Sequence, residues 1–167
     1  MSPIASVNAV NVYKGLFYNA WNLGSATVSV SPGVPARSGK VYIVTTGVTS
    51  QTLRGTPTLT VDYPGSKVVA FDIQNFYFGC TLPLAQNNVN LATQCSILVA
   101  GFDENNREKA VATFTFTPIA TKLTNSPMIL ASLPAGFKDL HNVTIVQSSP
   151  LNQVLHVDDI KYTTYSS

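Results

Sequence analysis

Apolar and polar residues alternate along most of this chain, and turn residues cut the alternation into short runs. "ATVSVSPG" alternates small and apolar positions and stops at Pro32-Gly33. "KVYIVTTG" is a buried-type run that ends at Gly47, and "TPTLTVDYPG" sets Leu59 and Val61 between threonines before Pro64-Gly65. "KAVATFTFTP" alternates Phe114 and Phe116 with threonine up to Pro118, and "NVTIVQSSP" and "QVLHVDDIKYTTY" continue in the same way. A period of two bounded by Gly and Pro is the pattern of half-buried strands. The pattern predicts about nine strands with short turns, an all-β sandwich or barrel. "SPMILASLPAGFKDL" has room for one short helical turn, interrupted by Pro127, Pro134 and Gly136.

One run breaks the rule in an informative way. In "FDIQNFYFGC" the apolar spacing of Phe71, Ile73, Phe76 and Phe78 slips by one residue after Ile73. A strand keeps one face toward a core only if an extra residue absorbs that slip. The pattern therefore predicts a β-bulge near Gln74 or Asn75.

The 167 residues suit a single domain spanning 1–167 with a sizeable core, since 45% are hydrophobic. Only 11% are charged, against roughly 25% in an average soluble domain. The net charge of +2 comes from scattered Lys and Arg. A nucleic-acid partner needs a clustered basic patch, so that class is set aside. No apolar run approaches the roughly 20 residues of a membrane-spanning helix. The opening "MSPIASVNAVNVY" lacks the charged and apolar regions of a signal peptide. A cytosolic protein is one reading; a secreted protein whose signal has been removed is the other.

The cysteines favour the second. Cys80 and Cys95 bracket the uncharged "TLPLAQNNVNLATQ" and end two β-type runs. A disulfide is expected to tie the ends of two adjacent strands, worth about 3 kcal/mol for a loop of this length, and implies an oxidising compartment. His141 and His156 lack the spacing of a zinc site with them. Asn142-Val143-Thr144 is an N-glycosylation sequon, consistent with secretion.

The phrases "YKGLFYNAWNLG", "PARSGKV", "FDIQNFYFGC", "CSILVAGF", "GFKDLHNVTI" and "LHVDDIKYT" occur in an order that resembles a group of small secreted proteins of ascomycete fungi. The resemblance covers nearly the whole chain. It implies a jelly-roll β-sandwich of the carbohydrate-binding-module type, two antiparallel sheets with little helix, and leaves activity open. The closing phrase also resembles the last strand of calcium-bearing carbohydrate-binding modules. That resemblance implies a structural calcium ion near Asp158 and Asp159. The first sixty residues contain no Asp or Glu, so further ligands from that region are Asn or backbone oxygens.

In a regular strand Asp158 and Asp159 point to opposite faces, and a bulge lets both flank one edge. The alternative to calcium is an acid pair that accepts backbone N–H bonds or meets Lys161. For carbohydrate, aromatic rings stack on pyranose faces while amides and carboxylates orient hydroxyls. Tyr18, Asn19, Trp21 and Asn22 form the densest such cluster, with Tyr63 beside a turn and Asn75 with Tyr77 as further candidates. The competing reading has Trp21 plugging the core and Tyr18 capping it. Glu104 and Glu108 share a turn, and no nucleophile or metal-hydrolase motif is present. The expectation is a non-catalytic secreted monomer that binds cell-wall polysaccharide. An effector or surface protein with a protein partner is the alternative, and a glycoside hydrolase is a third.

Overall fold

The computed structural model describes residues 9–25, 32–46, 55–83, 90–149 and 153–167. The strand expected in "ATVSVSPG" falls mostly outside these residues. Twelve strands are present among them: β1 (Val12–Tyr13), β2 (Leu16–Asn19), β3 (Asn22–Ser25), β4 (Val41–Thr46), β5 (Thr58–Thr60), β6 (Val68–Pro83), β7 (Asn90–Ala92), β8 (Cys95–Phe102), β9 (Glu108–Phe116), β10 (Ile129–Ser132), β11 (Asn142–Ser149) and β12 (Val154–Ser166). The count exceeds the nine expected because β1, β2, β3, β7 and β10 span two to four residues each, too few for alternation to register. No helix occurs among the described residues, and the stretch given a helical turn holds β10 instead.

The strands form two antiparallel sheets, the sandwich alternative of the sequence pattern and the arrangement the resemblance implies. One has the order β1-β2-β5-β11-β8-β9. The other runs β10-β6-β12-β4-β3, with β7 also pairing β6. The chain crosses repeatedly from sheet to sheet, so each inner face is assembled from distant segments. Between the faces lie Phe71, Phe76, Phe78, Phe116, Ile97, Ile145, Leu59 and Leu155, all fully buried. Phe76, Phe78, Phe114 and Phe116 meet edge to face at centroid separations of 6.1 to 6.5 Å, a preferred aromatic geometry.

The bulge in β6 is present. Lys161 pairs with Asn75 and Tyr162 with Ile73, so Gln74 is the extra residue. The burial of Phe71, Ile73, Phe76 and Phe78 follows from it. A second bulge lies on β12. Asp158 pairs with Tyr77 and Lys161 with Asn75, so Asp159 and Ile160 oppose Phe76 alone. Asp159 takes a positive φ of 48° there.

Cys80 and Cys95 form a buried disulfide with Cα atoms 6.1 Å apart. The expectation that it joins adjacent strands needs correction. Cys80 is on β6 and Cys95 on β8, which belong to facing sheets. The short β7 takes the hairpin position beside β6 before the chain crosses over. The bond therefore fastens one sheet to the other.

Candidate functional site

The sandwich is open along the side where β1–β2 of one sheet face β3–β4 of the other. In register, Leu23 pairs with Ile43, and Ile43 with Val157, a core residue of the inner face. Leu23 and Val41 share that face yet remain 41% and 51% exposed. Opposite them Val12 and Tyr13 of β1 are 51% and 54% exposed. Between these walls lies a groove of about 630 Å³, a size that suits a ligand site.

Tyr13 stands at the rim because of a local turn. Val12 pairs with Phe17 and Tyr13 with Leu16, leaving Lys14-Gly15 as a two-residue loop. Both take positive φ, 45° and 84°, the signature of a type I′ hairpin turn. A Cβ at Gly15 would sit 2.9 Å from Val68 Cγ2, so glycine is needed for space as well. Tyr13 meets buried Tyr18 edge to face at 6.3 Å, and the Lys14 ammonium lies 5.3 Å from the Tyr13 ring centre. The Tyr162 hydroxyl donates to the Tyr13 and Lys14 carbonyls, each at 3.3 Å. Burial, then the hydrogen bond with Tyr162, pushes the Tyr18 phenol well above its ordinary pKa. Burial also raises that of Tyr162. Both therefore remain neutral hydroxyls at physiological pH.

The Asp158–Asp159 bulge borders the groove together with Ser38. Asp158 Oδ2 accepts the N–H groups of Arg37 at 2.9 Å and Ser38 at 3.1 Å, and Oδ1 accepts the Asp159 N–H at 2.8 Å. The Ser38 hydroxyl donates to Asp159 Oδ1. The Arg37 guanidinium lies 4.7 Å from the Tyr77 ring centre. A Cβ on Gly79 would come within 2.8 Å of Val34. The segment from Val34 to Ser38 thus lies against β6 and β12 as a strap, pinned by the acid pair. This is the arrangement expected of carboxylates that accept backbone N–H bonds. A cation there would compete with the four donors already aimed at the pair. Among the described residues no group of three or more His, Cys, Asp and Glu side chains is placed to hold a metal.

The remaining sequence candidates are dispersed. Trp21 is only 1% exposed and Tyr18 5%, so the core reading of Trp21 is the correct one and its ring has no free face for a sugar. Its Nε1 has no hydrogen-bond partner among the described residues. Asn19 is exposed at the end of β2, beside a shallow depression of about 380 Å³. The Tyr63 hydroxyl donates to the Gly15 carbonyl at 3.3 Å. Its ring borders a separate depression with Asp62 and His141, whose facing atoms are 3.5 Å apart. Asn75 is half-buried in the bulged part of β6, and Tyr77 has Arg37 over its ring. Asn142 opens β11, half-buried on the face opposite Val143. Of all these candidates, the groove gathers only Tyr18, Asp158 and Asp159.

Tyr13, Lys14, Ser38 and Tyr162 were not singled out by the sequence reading. The Lys-Gly pair between β-type residues is a hairpin signal that would have placed Tyr13 at a loop edge. The alternation of "IKYTT" would have put Tyr162 on the inner face. No carboxylate faces Asp158 and Asp159 across the groove among its lining residues; tyrosines and Lys14 do. The pair of flanking acids that glycoside hydrolysis uses is therefore not assembled among the described residues of this groove.

A scan against protein-family models finds no match, and a search of curated proteins finds none either. Among solved structures the chain is similar to a DUF4465 family protein from Bacteroides caccae, with a TM-score of 0.57 and 14% identity over 90% of this chain and 80% of that one. A family 16 carbohydrate-binding module overlaps 87% of this chain and 86% of its own, at a TM-score of 0.38 and 12% identity. At these identities the first similarity speaks to the fold alone: a two-sheet antiparallel β-sandwich.

Proposed function

We propose that this chain is a secreted, non-catalytic β-sandwich protein that binds carbohydrate of a cell wall in the groove between β1–β2 and β3–β4. The observation that carries the reading is Tyr13, a residue more than half exposed at the rim of that groove. Neutral tyrosine hydroxyls, Ser38 and the Asp159 carboxylate lie beside it. A pyranose needs that combination, an aromatic face for its C–H side and fixed polar groups for its hydroxyls. The disulfide supports secretion through an oxidising compartment, and Asn142 is the acceptor proposed for a glycan. The resemblance to secreted fungal proteins agrees with an extracellular polysaccharide as partner.

A second reading has its own observation. Val12, Tyr13, Leu23 and Val41 expose apolar surface around one groove, which also suits a protein partner of an effector or surface protein. A glycan array with polysaccharide pull-down separates the two. Binding to at least one wall polymer, lost in Tyr13→Ala, is the expected result. Failure to bind any polymer overturns the carbohydrate reading in favour of the second.

A further inference from the structure

We infer that Asn142 carries an N-linked glycan whose first sugar packs on Phe102 and shields the outer face of β5, β11 and β8; this rests on the secretion part of the reading above. In β11 the side chains of Val143 and Ile145 are buried in the core, so Asn142 and Thr144 point to the opposite, outer face. Asn142 pairs with Thr60 on β5 and with Phe102 on β8, and Thr60 pairs in turn with Phe17 on β2. One row across four strands therefore reads Phe17, Thr60, Asn142, Phe102. Directly opposed side chains stand about 5 Å apart at Cβ, within reach of a sugar joined to Asn142 Nδ2.

Phe102 is half-buried there, while its neighbour Gly101 faces Phe137 and Leu140 of the core. The next rows, Thr144 with Ala100 and Val146 with Leu98, are uncharged. A surface of this kind takes the C–H side of a neutral sugar on the aromatic ring and its hydroxyls on threonine. The sequon selects the occupant, because the acceptor amide stands in the same row as the ring. The donor is a lipid pyrophosphate-linked oligosaccharide of the secretory pathway. A bond forms between Asn142 Nδ2 and the anomeric carbon, the bond from that carbon to the pyrophosphate oxygen breaks, and the departing lipid pyrophosphate takes up the amide proton. Asn142 to Thr144 are paired on both sides in the fold, so transfer precedes the insertion of β11. In their sheet β5 and β2 separate β11 from the β1 edge, so the glycan leaves the groove open.

The test uses the full chain secreted from a yeast host. Peptide mass mapping should find Asn142 occupied, and an endoglycosidase then trims the glycan to its first N-acetylglucosamine. That form should melt about 2–4 °C above Asn142→Gln, the shift expected of one stacked ring. Adding Phe102→Leu to both proteins should remove at least half of the difference. On the unsubstituted chain, ring current from Phe102 should move the sugar protons upfield in the NMR spectrum, a readout that stands if the leucine variant does not fold. A secreted protein with a bare Asn142 overturns the inference. So does an occupied one whose sugar protons are unshifted, or whose melting gain survives Phe102→Leu intact. Binding of wall polymer by a protein with a bare Asn142 leaves the carbohydrate reading standing without this one. An occupied, stacked Asn142 on a protein that binds no polymer does the reverse.

Discussion

The two long sides of this sandwich are built from the same sheets and end in opposite ways. On one side β6 and β8 are fastened by Cys80–Cys95, and Phe76, Phe78, Phe114 and Phe116 fill the space between the sheets. On the other, inner-face residues such as Val41 and Leu23 stay about half exposed. The closed side puts large rings from both sheets opposite each other. The open side puts β-branched and aliphatic residues opposite tyrosines that carry hydroxyls, and the bulge at Asp159 turns two carboxylates toward the rim. On the proposed reading the ligand meets the open side, so substitutions at its rim should affect binding and leave the stability set by the buried rings unchanged.

The largest effect is expected in the packed interior. Phe78→Ala and Trp21→Ala should each lose about 3–5 kcal/mol in urea unfolding, as truncation of a fully buried ring does. A loss below 1 kcal/mol for Trp21→Ala would return that ring to the list of surface groups. Next, replacing Cys80 and Cys95 together by alanine should cost about 3 kcal/mol by releasing a loop of this length. Oligosaccharide affinity should not change, because the bond lies on the closed side. Loss of binding in that variant at a temperature where it is folded would break the separation of the two sides.

Acid provides a probe of about the same size. His156 is buried against Tyr42, with ring centres 4.8 Å apart and Nε2 2.8 Å from the Thr81 hydroxyl. Burial lowers its pKa from 6.5 to about 3. Between those values the unfolded chain holds a proton that the folded protein excludes. Stability is therefore fully present above pH 6.5 and falls as the pH drops below it, by about 1.4 kcal/mol per unit. Unfolding at pH 6.5 and 4.5 should differ by about 2–3 kcal/mol more in the native protein than in His156→Phe. An identical acid response in both proteins would remove His156 from the account.

Smaller effects belong to the open side. Asp158→Ala frees the strap from its N–H acceptor and should cost about 1 kcal/mol, since the lost bonds lie near solvent. Tyr13→Ala should change stability by less than about 0.5 kcal/mol, as surface substitutions do, while lowering oligosaccharide affinity at least tenfold. If Tyr13→Ala destabilised the protein as much as Phe78→Ala, the open side would be part of the core.

How much of this was legible in the sequence depended on the range of the interaction. The slip in "FDIQNFYFGC" records a bulge because the signal and its cause lie within a few residues, and the extra residue is Gln74. The disulfide was legible as a pair, but which strands it joins was not. That depends on β7 and on a crossover whose signals are spread over sheets assembled from remote segments. Asp158 was marked as unusual by its neighbour Asp159. Its partners, the N–H groups of Arg37 and Ser38, lie 121 and 120 residues away, and no local pattern points to them. Trp21 was misassigned for a related reason. Trp21 and Tyr18 are the residue types that binding sites use, yet they are also the largest available fillers of a core. Alternation alone does not reveal which side of a sandwich its partner sheet leaves uncovered.

The position of β12 has a further consequence. It is the last of the strands along the chain, yet it lies in the middle of its sheet and pairs with both β6 and β4. During synthesis from the N-terminus, β3–β4 and β6–β10 can each form while the strand that unites them is still to come. Until it arrives, two strand edges stay unsatisfied in the nascent chain, and pairing across so long a separation is slow to form. The interval before β12 inserts is when this protein is most exposed to pairing with the wrong strand.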